Sequence, residues 1–203
     1  MKQTVVTKVG AGCGALFAVV LTVANGDGSN AFSTPRAVAG VAALTLALPF
    51  VAYIGMLLRD AEAEHGWVAA TAVAAGIAGI TLKLASGAPE LALHRAHVPD
   101  GTLLHKAVEE IAGGLTVLSL YPLAVFCAAT AFVALRTRVL PRWLGAGAGL
   151  TAAALAVNGG FLGTSTVPGL LLFALWTLLA SIHLLRNAGR EPAHVGSVGY
   201  GAT

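Results

Sequence analysis

Residues 111–134, IAGGLTVLSLYPLAVFCAATAFVA, contain no charged side chain. A water-exposed helix of that length would carry a polar face at the helical period. A bilayer core, in contrast, asks for about 20 consecutive apolar residues. The stretch therefore reads as a transmembrane helix, the middle of a longer helix that starts near Thr102.

Five further runs of the same kind lie on either side of it. They cover 5–25, 37–58 and 67–85 before it, and 143–162 and 168–185 after it. The expected fold is all-α, a six-transmembrane-helix bundle occupying residues 1–188 as one domain. Residues 189–203, rich in small residues, are expected to form a cytoplasmic tail. Composition agrees: hydrophobic residues make up 57% of the 203 and charged residues only 10%, whereas a soluble surface needs about a quarter of the chain charged. Met1-Lys2 through Lys8, the apolar run and Thr22-Val23-Ala24 have the outline of a cleaved leader. The expectation here is a retained span. Cys13 precedes most of that run, which does not fit a lipoprotein cysteine.

The net charge of +3 does not point to nucleic acid, because the basic residues sit at the ends of apolar runs. Eight of the twelve fall on one side of the membrane if the N-terminus is cytoplasmic: Lys2, Lys8, Arg59, Arg136, Arg138, Arg142, Arg186 and Arg190. Arg36, Lys83, Arg95 and Lys106 fall on the other. The excess of positive charge on inner loops puts both termini in the cytoplasm and the long 86–108 connection outside. Cys13 and Cys127 both lie within apolar runs, so they read as buried thiols rather than a disulfide framework. Glycine and alanine repeats in spans one, three and five suit close helix packing. Pro49 and Pro122 are each expected to bend a span.

With this topology the outer ends of the spans gather most of the buried-depth polar groups. Asn25, Asp27, Lys83, Glu109, Glu110, Asn158, Thr164 and Ser165 share that level. Residues 87–97 read as a short external amphipathic helix between spans three and four, with Pro89 and Glu90 in its first turn. Glu90, His94 and His97 then recur on one face, Pro99-Asp100-Gly101 turns the chain, and Thr102 caps the fourth helix. On that helix His105 and Glu109 are four apart, as are Lys106 and Glu110, so each is expected to pair. Glu109 and Glu110 precede the apolar run directly and are expected to be partly desolvated.

The plain reading is that these are interfacial charges finishing a helix in headgroups. The sharper one makes Lys83, His105, Glu109, Glu110, Asn25 and Asn158 the lining of an outward-facing cavity. His94, His97 and His105 supply nitrogen ligands of the kind zinc or copper takes, but surface histidines are common and no metal site is assigned. No nucleotide-binding loop, zincin motif or nucleophile elbow occurs, and no cofactor is expected.

The run Arg136-Thr-Arg-Val-Leu-Pro-Arg-Trp-Leu-Gly145 resembles a family of small bacterial polytopic membrane proteins classed as a domain of unknown function. In that family an arginine-ended span is followed by a Leu-Pro-Arg-x-Leu-Gly turn that opens the next span. The resemblance implies a multi-span fold in the bacterial cytoplasmic membrane and brings no activity with it.

Three classes of function fit these residues. One is a protein that binds or transports a small or lipophilic solute through the outward cavity. Another is an accessory subunit that packs against a membrane protein partner or its own copies. The third is a membrane-embedded enzyme using Glu109 or Glu110 as an acid or base on a lipid or isoprenoid.

Overall fold

The computed structural model describes residues 2–25, 34–62, 66–99, 101–161 and 167–188. They form six helices: α1 (Lys2–Asn25), α2 (Thr34–Glu62), α3 (Trp67–Arg95), α4 (Leu103–Thr137), α5 (Arg142–Phe161) and α6 (Val167–Asn187). No strand occurs among the described residues. Five of these helices, all but α5, are long and apolar enough to cross a membrane, and the protein is a multi-pass helical membrane protein. α5 has the length of a span, 20 residues.

Each helix packs on its neighbours in sequence, and α6 returns to α1, so the six close into a ring. Glycines mark the closest approaches, and they fix the antiparallel register. Gly10 and Gly14 of α1 lie against Tyr53 and Phe50 of α2, and Gly14 also meets Ser181 of α6. Gly55 of α2 faces Val73 of α3, while Gly76 of α3 faces Val51 of α2. Gly145 and Gly149 of α5 run past Leu135 and Ala131 of α4. In lipid, where apolar side chains gain little by leaving their solvent, such backbone proximity supplies the dispersion contacts that hold helices together.

The middle of the ring is filled by rings of another kind. Phe17, Phe50, Phe126, Phe173 and Trp176 are buried. Phe126 lies edge-on to both Phe173 and Trp176, with centroids 6.4 and 6.2 Å apart. Trp176 also lies edge-on to Phe50 at 6.2 Å. Its indole Nε1 donates to the Leu144 carbonyl at 3.1 Å, which satisfies the one polar atom this aromatic cluster carries. Five hydroxyls within the spans are handled locally, while Thr177 Oγ1 and Ser181 Oγ of α6 are buried with no hydrogen-bond partner among the described residues. Thr22, Thr45, Thr71, Thr130 and Thr151 each donate to the carbonyl four residues back at 2.8–2.9 Å, so none needs water.

The separate external helix expected at 87–97 is not found: residues 87–95 continue α3 without a break. Pro89 therefore sits inside α3 rather than in a first turn. A proline inside a helix forfeits one backbone bond and crowds the carbonyl four residues earlier, here that of Ala85. The chain turns only after Arg95, where His97 adopts a left-handed φ of 49° and Gly101 a φ of 80°. Thr102 caps α4 as its position suggests, accepting from His105 N at 3.2 Å.

α3 and α4 are consequently longer than a membrane needs. Their 29 and 35 residues extend about 43 and 52 Å at 1.5 Å per residue, against a hydrocarbon core of about 30 Å. They form a hairpin with each other, and the surplus length is at their joined end.

Candidate functional site

The α3–α4 hairpin carries the polar residues singled out from the sequence, and it sorts them into three groups. The first is a contact between the helices. Lys83 Nζ of α3 donates to Thr116 Oγ1 of α4 at 3.0 Å, with both residues partly buried. A lysine among apolar residues at this depth is costly without acceptors, and the hydroxyl of α4 provides one.

The second group lies on α4 itself. His105 Nε2 and Glu109 Oε1 are 3.2 Å apart. His105, Glu109, Ala112 and Thr116 follow at helical spacings of four and three, so the pair and the Lys83 partner share one stripe of α4. The His105 side chain is 18% exposed and that of Glu109 is 60% exposed. Glu109 is thus open at the protein surface rather than enclosed as the floor of a cavity. Chemically, the stripe offers the Lys83 ammonium with the Thr116 hydroxyl and, beyond Ala112, the Glu109 carboxylate with the His105 imidazole. Such a set can hydrogen-bond a polar ligand group.

The third group is what the fold does not bring together. Glu110 is exposed and off the stripe, and it forms no ion pair with Lys106 within 4 Å, contrary to expectation. Both side chains are exposed, and in a high-dielectric setting such a pair gains too little to hold two long side chains in register. His94 is exposed, and the His97 ring bonds the Arg95 carbonyl at 3.1 Å. Among the described residues no group of three or more His, Cys, Asp or Glu converges as metal ligands.

Asn158 lies on α5, apart from the α3–α4 hairpin. It is buried, and its Oδ1 accepts from Gly169 N at 2.8 Å. Gly169 lies in the first turn of α6, whose leading N–H groups lack intrahelical partners. Asn158 therefore caps α6 from α5. Asn25 closes α1, but its side chain lies outside the described residues, as do Asp27, Asp100, Thr164, Ser165, the Glu90 side chain and the 189–203 segment.

Sequence reasoning missed the other end of the bundle. Glu62, at the end of α2, accepts from Val68 N and Ala69 N at 3.3 and 3.0 Å. It thereby caps α3 across the α2–α3 turn. Beside it is a cavity of about 280 Å³ whose lining includes Glu62, Trp67, Phe132 and Arg136. The signal available in the sequence was a carboxylate a few residues ahead of an apolar run, but it stood on the wrong side of a turn to be recognised as a cap.

No protein family, characterised protein or solved structure matches this chain.

Proposed function

We propose that this protein is a six-span binding protein of the bacterial cytoplasmic membrane, with both termini inside. In this reading it takes a small or lipophilic solute at the outer, α3–α4 end, and α5 crosses the membrane with the other five helices. The observation that carries it is the Lys83–Thr116 contact, a cation held between two helices at the foot of the His105–Glu109 stripe. Solute passage, where it occurs, requires rearrangement of the helices, because the aromatic cluster occupies the centre of the ring. Membership of the polytopic family rests on the Leu140-Pro-Arg-Trp-Leu-Gly145 turn. In support, Pro141 O accepts from Leu144 N and Gly145 N at 2.9 and 3.1 Å and so opens α5.

The test is native mass spectrometry of gently extracted wild type and Lys83→Met. A stoichiometric small molecule on the wild type that is lost from the variant is the expected result. Its absence from both would overturn the binding reading.

A second reading, an accessory subunit, draws on Leu103 and Leu104. These begin α4 at the far end of the hairpin and are 87% and 59% exposed. Large apolar side chains presented together beyond the bilayer suit a protein partner. Under this reading Leu103→Glu releases a co-purifying membrane protein, and isolation of the wild type without one would count against it.

A further inference from the structure

The cavity at the opposite end of the bundle is unrelated to the α3–α4 polar stripe, and nothing in the preceding reading uses it. Its walls come from the end of α2, the start of α3 and the end of α4. This is the basic end of the bundle, where Arg59, Arg136, Arg138, Arg142 and Arg186 all lie. The space of about 280 Å³ is near the small limit of ligand sites, about 300 Å³. It has room for a headgroup but not for a whole lipid.

Among the described residues the lining presents one cation, Arg136, and one anion, Glu62. The Arg136 guanidinium has no hydrogen-bond or ion-pair partner among the described residues, and it forms no ion pair with Glu62 across the cavity. Glu62 gives one lone pair of each oxygen to the α3 backbone. A carboxylate has about four acceptor positions, so it can still accept from an ammonium. Trp67, at the first position of α3, is 66% exposed, as befits an indole at headgroup depth. From Phe132 at the cavity wall, Val125 and Leu118 continue an exposed apolar stripe along α4 at intervals of seven residues toward the bilayer interior.

We propose that this cavity is a site for a zwitterionic phospholipid whose headgroup joins a phosphodiester to a primary ammonium, that is, phosphatidylethanolamine. The phosphodiester oxygens accept from the Arg136 guanidinium, a charge-assisted bond, and the ammonium donates to Glu62. The acyl chains lie along Phe132, Val125 and Leu118. An anionic headgroup without an ammonium leaves Glu62 facing a phosphate, and a choline headgroup has no N–H to donate.

The experiment is native mass spectrometry of the full-length protein titrated with phosphatidylethanolamine, phosphatidylglycerol and phosphatidylcholine of matched chains. The wild type is expected to hold phosphatidylethanolamine about tenfold more tightly than either of the others, the worth of one charged hydrogen bond. Glu62→Gln, which keeps an oxygen acceptor for the α3 start, is expected to remove most of that preference. Arg136→Gln is expected to weaken all three lipids about tenfold, while Arg186→Gln, outside the cavity, leaves them unchanged. Equal retention of the three lipids by the wild type would overturn the assignment, as would unaltered binding by Arg136→Gln. The wild-type lipid series and Arg136→Gln decide the matter even if Glu62→Gln does not fold. Chain-free phosphoethanolamine is expected to compete poorly, and competition equal to that of the lipid would overturn the lipid as occupant.

Discussion

Lys83 on α3 and Thr116 on α4 meet at 3.0 Å, although 33 residues and a hairpin turn separate them along the chain. The contact pins the two helices of the hairpin to each other at the level where their surplus length begins. It also determines which way the α4 stripe faces, since Thr116 is its last member. Thr116→Val keeps the shape and removes the acceptor. The expected loss is about 0.5–2 kcal/mol, the range of interhelical hydrogen bonds in membranes, read by reversible unfolding in mixed micelles. Thr116→Ser, which restores a hydroxyl, should recover most of it. No difference between Val and Ser would show that the hydroxyl contributes nothing.

Gly14 and Gly12 sit two residues apart on α1, and the structure treats them oppositely. A Cβ on Gly14 would strike the Phe50 ring and the Ser181 hydroxyl, whereas one on Gly12 meets nothing within 4 Å. Gly14→Val is therefore expected to wedge α1 away from α2 and α6, at about 1–3 kcal/mol or more. Gly12→Val should stay within about 0.5 kcal/mol of wild type. Thermal aggregation in detergent separates the two, and equal effects would contradict the packing of α1.

Asn158→Ala removes the side chain that holds Gly169 N at the start of α6. The expected cost is that of a lost cap, about 0.5–2 kcal/mol, with hydrogen exchange accelerated in the first turn of α6 and unchanged in α4. If Asn158 instead belonged to a solute site, the variant would lose the bound molecule without that local exchange signature.

The orientation can be tested with single cysteines placed after Cys13 and Cys127 have been replaced by alanine. Ala96→Cys, in the exposed turn that follows α3, is expected to react with a membrane-impermeant thiol reagent added to intact cells. Arg186→Cys, at the end of α6, is expected to react only after the membrane is opened. The reverse pattern would invert the proposed topology.

Much of the fold was legible because a bilayer imposes a length on any apolar run that crosses it. The helices around residues 37–58, 111–134 and 168–185 all stand where their uncharged stretches predict, and Thr102 caps α4 as a threonine ahead of a helix does. The 87–97 segment was not legible. Gly87 and Pro89 are local signals for a break, yet packing against α4 carries α3 through them to Arg95. The site divides in the same way. His105–Glu109 follows from helical spacing alone, since two residues four apart on one helix must be neighbours. Lys83–Thr116 does not, because no periodicity encodes which residue of a second helix lies opposite.

The sequence alone therefore determined the solvent this chain folds in, its all-helical class and the neighbours each residue finds within its own helix. These follow from transfer free energy and the helical repeat, which act over short stretches of chain. Tertiary structure alone decided that Asn158 caps α6 and that Glu62 caps α3 beside Arg136 and Trp67. Each depends on the rotation and depth of one helix against another, which are set by glycine contacts such as Gly14 with Phe50 and Ser181. Such contacts are fixed only when all six helices close into one ring.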